Sequence, residues 1–463
     1  MKKILQSISL LLLLLAISSE LLAQTYERST GGSWNNAAQW TPKGVPNGDK
    51  VQVTLNNAET KLLNLNLGGK SYQITKLNVP DKANDWRLFN GTLAFHKVRD
   101  HLAEIDYSGT GNLILETHLN LQSDTVLNVS DSYADVDLAG PISGSGKLLK
   151  IGPGALLIEQ PLGASIEIYE GIIGISRQNY PENYPNLTID KDSGVKLFAL
   201  DDNINITKVK LLRGTTLDLI NNPYPGKPTH DITLGKDLYG PEDSTINQLS
   251  RSALIFEGIN RFYGTIKSGP ESGPIIIDGH TYANIETQPG AGPIILNGST
   301  GGNIEINGST IEGTGRGGNL TATSGAIISP GYNGSFGTLS FRNVNLDSNT
   351  ILNFKFHNVK EDLTIGGMLR ELKELEKSKS VDPEKEKYLT QVERIKIDID
   401  AASRDLIRVS GDLALRGKLN INVDAVSKLE NGTYPLFKYN GELINDGLGI
   451  SSVPPGTMPL TLP

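Results

Sequence analysis

The chain has 463 residues, a formal net charge of −8, one fifth of its residues charged, and no cysteine. The acidic balance argues against a nucleic-acid partner, which would call for a basic face. Without cysteine there are no disulfide staples and no thiolate metal ligands, so stability must come from backbone ladders and apolar burial.

Residues 1–23 stand apart. Lys2 and Lys3 precede an apolar run from Ile4 to Ile17, and Leu21-Leu22-Ala23 ends in a small residue before Gln24. This is the layout of a secretory signal peptide, with a membrane anchor as the alternative. Such a leader on a cysteine-free chain points to bacterial export. No later segment reads as a transmembrane helix.

Trp34 and Trp40 come next, followed by turns at Pro42-Lys43-Gly44 and Pro46-Asn47-Gly48. Val51, Val53 and Leu55 then alternate with polar residues, as a half-buried strand does. Two large aromatics at the start of a stacked structure are expected to cap its open end. The alternative is a sugar-stacking platform. Alternation persists from Leu62 to Val129.

From Asp135 to Ile175, β-favouring pieces of three to five residues alternate with glycines, including Ile142–Gly146, Leu148–Ile151 and Gly152–Ile158. No run is long enough for an ordinary helix, and the glycines fall where a strand must turn a corner. The same grammar fills 183–300, with irregular spacing and roughly twenty to twenty-five residues expected per coil. Asn179–Pro185 and Asn222–Pro228 read as loops.

Residues 366–404 change character, with nine Lys/Arg and nine Asp/Glu. Met368, Leu372 and Leu375, then Tyr388, Val392, Ile395 and Ile399, follow a helical period, and Asp382-Pro383 supplies a break with an N-cap. The spacing predicts a helical hairpin inserted in a β-chain, with a solvated face or a partner-docking arm as its role. Strand alternation resumes at Asp405.

These residues resemble the autotransporter-associated β-strand repeat and the passenger-like parallel β-helix around it. The resemblance rests on Ile142–Gly146, Leu148–Ile151, Gly152–Ile158 and Ser165–Ile175, on Ser324–Gly331 with Gly337–Leu339, and on Asp405–Leu419, in that order along the chain. It covers about half the chain on the periodicity criterion. It implies an all-β, right-handed parallel β-helix (solenoid), carrying the inserted α-helical hairpin near its C-terminal end. The expected division is 1–23 signal peptide, 24–365 β-helix with an N-terminal cap, 366–404 hairpin and 405–463 C-terminal coils. The family pattern is broken where the hairpin precedes Asp405, and no translocator barrel is recognised, so export by a separate machine or a longer chain is expected.

Signals for chemistry are sparse. Gly313–Gly318 fits G-x-G-x-x-G but lacks a strand-to-helix setting. Gly144-Ser-Gly146-Lys147 imitates a P-loop, yet Pro141 and Leu148 stand where Gly and Ser/Thr are needed. The six histidines have no metal-ligand spacing, so neither metal nor cofactor is expected. Asp201-Asp202 and Asp278-Gly279-His280 resemble elements of polygalacturonase-like hydrolases, but Thr281 stands where a second glycine belongs, and turn roles compete. The expectation is a non-enzymatic, exported surface or extracellular scaffold of a Gram-negative bacterium, an adhesin-like stalk or matrix component. Its partner would be a surface polysaccharide or a cell-surface protein. The alternative is a carbohydrate-active β-helix: hydrolase, lyase or binding module.

Overall fold

A period of two sends every second side chain to one face of a strand. Leu, Ile and Val at those positions have to be buried, and a parallel neighbour with the same pattern buries them in register. The computed structural model realises this coil after coil. It describes residues 24–57, 61–80, 85–160, 163–176, 187–190, 192–356, 404–416, 419–425, 435–446 and 448–452. The expected signal peptide and nearly all of the expected hairpin lie outside these residues. The chain divides into two compact units, residues 1–215 and 216–463.

In the first unit, Gln24–Arg28 pairs in parallel with Val51–Leu55, which pairs with Lys76–Val79, then Ala103–Tyr107, Thr125–Val129 and Leu148–Ile151. A second sheet runs through Leu63–Ile74, Trp86–Phe95 and onward to Ala155–Ile158 and Gly171–Ile175. In the second unit one sheet stacks Leu254, Ile275, Ile294 and Ile311 in register, and the other stacks Ile246, Ile266, Ile285, Ile304 and Leu320. These inward residues are at most 1 % exposed. A smaller wall is formed by His280–Thr281 with Ser299–Thr300, and by Thr338–Phe341 with Leu406–Val409 and Phe437–Tyr439. Every strand pairing here is parallel, so each unit is all-β and built as a parallel β-solenoid is.

Steps between registered positions fall from 21 to 19 to 17 residues along Leu254, Ile275, Ile294 and Ile311, so coils become shorter than the expected range. Outward charges pair with the next coil: Lys76 with Glu104 at 2.9 Å, Arg87 with Glu116 at 2.6 Å and Lys147 with Glu167 at 2.5 Å. Corner Asp and Asn side chains accept backbone N–H groups from an adjoining coil, as Asp85 does from Asn112, Asp124 from Lys147, and Asp231 from Ala253. Each such bond satisfies an amide that a corner would otherwise leave without a partner.

The first coil is capped from within. Trp34 and Trp40 are 0 % and 1 % exposed, which removes the sugar-platform alternative. Trp34 stacks on Tyr72, its indole N–H donates to the Pro46 carbonyl, and Trp40 donates to the Trp34 carbonyl. Arg28 lies over the Trp40 ring at 5.2 Å, and its guanidinium donates to the carbonyls of Thr30, Gly31 and Ser33. On the outer edge of the first strand, Glu27 exchanges both backbone hydrogen bonds with Thr41. The loop after Trp40 thus covers an edge that could otherwise template another chain.

The glycine-rich stretch from Asp135 to Ile175 holds a buried lysine. Lys150 is 0 % exposed, and its ammonium donates to the carbonyls of Ile151, Gly152 and Glu170 at 2.9, 2.6 and 3.2 Å. Burial pushes it down to about 7, and the nearby Glu170 carboxylate opposes that. Three acceptors match the three N–H bonds of an ammonium, whereas a neutral amine offers two. Gly171, at φ 102°, packs against this site: a Cβ there would fall 2.8 Å from the Lys150 nitrogen. The lysine of this glycine-rich stretch ties one corner to the next.

At the far end of the second unit, Phe356 and Arg404 face each other in an antiparallel bridge. Strand pairing therefore resumes at Arg404, which the expected boundary had put in the hairpin. Asp405 is 0 % exposed and accepts the N–H groups of Gly337 at 3.0 Å and Lys355 at 2.7 Å. Lys355 also donates its ammonium to the Pro330 carbonyl. The two motifs Ser324–Leu339 and Asp405–Leu419 are thus joined, with Thr338–Phe341 paired to Leu406–Val409. Among the described residues the one helical turn is the 3-10 turn Ala37–Gln39.

Candidate binding face

Four consecutive coils of the second unit carry one corner pattern: Glu257-Gly258-Ile259, Asp278-Gly279-His280, Asn297-Gly298-Ser299 and Thr314-Gly315-Arg316. Ile259 is bridged to His280, His280 is paired with Ser299, and Ser299 is bridged to Arg316. The column continues through Ser340 and Arg408. Glycine is required because the coils meet closely here. A Cβ on Gly298 would fall 1.9 Å from the Gly279 carbonyl oxygen, and one on Gly315 would fall 2.2 Å from that of Gly298. With no side chain at the corner, the next residue faces outward in register on each coil.

The outward groups are polar and linked. The Asn297 amide donates to Asp278 at 2.9 Å, and the His280 Nδ1 and Ser299 hydroxyl lie 2.7 Å apart. The His280 ring meets Tyr282 edge-on at 4.7 Å, and Tyr282 stacks on Tyr263 at 4.9 Å. Both tyrosines are about 40 % exposed and Ile259 is 69 % exposed, a concentration of large side chains on an otherwise polar surface. Beside them is an open depression of about 670 Å³, lined by Lys236, Asp237, Leu238, Tyr239, Ile259 and Arg261. Arg261, Arg316 and Arg342 are exposed, and among the described residues no ion pair or hydrogen bond holds their side chains.

Asp278 and His280 therefore share one corner, where Asp278 is occupied by Asn297. Asp201 and Asp202 belong to the first unit. Asp201 accepts the Ser176 hydroxyl at 2.7 Å, and Asp202 accepts the backbone N–H of Asn203 at 2.7 Å. The Asp202 contact is local to its turn, whereas the Asp201 contact ties two sequence-remote segments together. Gly313–Gly318, the dinucleotide look-alike, contains the Gly315 corner and lies between the strands Thr310–Gly313 and Leu320–Thr323. The sequence did contain the signal for this face, the recurring x-Gly-x triplet at 21, 19 and 17 residues, but variable outer residues disguised it.

A second acidic site was missed entirely. Asp137 lies on the strand Asp135–Leu138, which pairs with Ala155–Ile158, and Glu159 follows directly on the latter. Burial, then the charge and hydrogen bond of Glu159, push the Asp137 carboxyl up to about 7. Carboxyl groups in hydrogen-bond contact share a proton.

Among the described residues no group of His, Asp and Glu is arranged to hold a metal ion. Nor is any helix among them long and apolar enough to cross a membrane. Comparison with protein-family models and with characterised proteins finds no match to this chain.

Proposed function

We propose that this chain is a non-catalytic scaffold: an exported, right-handed parallel β-solenoid that displays a ligand-binding face at the surface of a Gram-negative bacterium or in its surroundings. One observation carries the reading. The Asp and Asn side chains that could have served chemistry are spent on the coils themselves, accepting N–H groups or linking side chain to side chain, as at Asp85, Asp124, Asp201, Asp231 and Asp278. A carboxylate held in that way is neither a free base nor a free nucleophile. Kinship with autotransporter passengers stays part of the proposal, supported by the joining of the Ser324–Leu339 and Asp405–Leu419 motifs.

The test is a hydrolysis and lyase screen over plant and microbial polysaccharides with the purified mature chain. No new reducing ends and no unsaturated products are expected. Turnover that Asp278→Ala or Asp201→Ala abolishes would overturn the reading in favour of a carbohydrate-active enzyme.

A further inference from the structure

We infer that the outward column His280, Ser299, Arg316 and Ser340, with the exposed Arg261 and Arg342 beside it and Tyr263 and Tyr282 flanking it, binds a linear acidic polysaccharide of low charge density. The inference rests on the scaffold reading and names the ligand class of its binding face. Parallel coils advance about 4.8 Å each, close to the advance of one ring in an extended sugar chain, so a polysaccharide laid along the column sets about one sugar against each coil. Arg316 lies between Ser299 and Ser340 in the column, so its charged contact is flanked by hydroxyl contacts.

Charge singles out the ligand. Although the whole chain carries −8, Arg261, Arg316 and Arg342 cluster along this wall. The acids Glu257, Asp278 and Asp237 lie toward the Ile259 end of the column, two or more coils from Arg316. The exposed edges of the Tyr263–Tyr282 stack give sugar rings an apolar contact with polar tips, which suits amphipathic ligands. The depression beside Ile259 and Tyr239 lies at the same end of the column. A run of phosphates as dense as that of a nucleic acid fits poorly, because the neighbours of Arg316 in the column are Ser299 and Ser340.

The experiment measures binding of the full mature chain to immobilised hyaluronan, which has one carboxylate per disaccharide, with dextran and double-stranded DNA surfaces in parallel. Binding to hyaluronan that weakens with added salt is expected, with no binding to dextran. Arg316→Glu is expected to weaken it about five- to tenfold at moderate salt, from the usual size of exposed charge contacts. Arg316→Lys should stay within about twofold on the same basis. Arg251→Ala removes an exposed arginine at another corner, paired with Glu271 at 2.7 Å, and should leave binding unchanged. Equal binding by wild type and Arg316→Glu, equal loss in Arg251→Ala, equal retention on dextran, or tighter retention on DNA would each overturn the inference. Chain length of the recovered hyaluronan is measured in the same samples. Shortening would overturn the non-catalytic reading and leave the binding result standing.

Discussion

Asp405 offers the sharpest check on how these coils are held together. Its two oxygens accept buried N–H groups from Gly337 and Lys355, so Asp405→Ala leaves both donors without a partner. An unsatisfied buried donor costs about 1–3 kcal/mol, which puts the loss of two at about 2–6 kcal/mol. The carboxyl itself is pushed up to about 6, chiefly by burial, with the two N–H groups and Lys355 opposing. The folded state therefore holds the proton to higher pH than the unfolded chain does. The stability that follows is complete below about 3.8 and is lost as pH rises through about 6. A rise of about two units corresponds to about 3 kcal/mol, so the wild-type protein carries that desolvation cost at pH 7 and not at pH 4. The variant should accordingly fall near the lower end of the range at pH 7 and near the upper end at pH 4. Because stacked coils can unfold in sections, the assay is hydrogen exchange at the amides of Gly337, Lys355 and Leu406–Val409, with chemical unfolding as a second readout. Unchanged protection in Asp405→Ala, or a deficit that does not shrink between pH 4 and pH 7, would refute the reasoning.

Three further outcomes are expected. Lys150→Met leaves three corner carbonyls without their donor and should cost about 2–4 kcal/mol, read as faster exchange around Gly152 and Gly171. Asp137→Asn removes a carboxyl that must ionise beside Glu159; since the folded value is raised to about 7, the wild type loses stability as pH rises toward 7. The variant should gain about 1–2 kcal/mol over wild type at pH 8, allowing for solvent screening, and the gain should vanish below pH 4. Replacing residues 357–403 by a short Gly-Ser linker should preserve the β-type circular dichroism and the unfolding midpoint, because Phe356 and Arg404 are already opposed in a bridge. Insoluble protein or a lowered midpoint would contradict that.

Much of the architecture was legible because strand alternation is a local property. Val51, Val53 and Leu55 alternate in sequence and are all buried in the structure. Trp34 and Trp40 were expected to cap the first coil, and they do so from inside the fold. The candidate residues fared differently. Asp201, Asp202 and Asp278 were noticed for their type, and each turned out to be held by a neighbouring donor. Asp137 drew no notice, because Glu159 is remote from it in sequence and comes beside it only through strand pairing.

Composition and periodicity by themselves determined that the described residues build β-strands with glycine corners, and that the chain is cysteine-free and acidic, since these follow from residue type and from neighbours along the chain. The tertiary structure alone decided which residues share a column. Coil length drifts from 21 to 17 residues, so no fixed period in the sequence aligns His280 with Ser299, Arg316 and Ser340. Backbone pairing sets that register, through contacts between residues about twenty positions apart. The same is true of Lys150, held by the carbonyls of its own corner and by that of Glu170 on an adjoining coil, and of Asp405, which accepts N–H groups of Gly337 and Lys355.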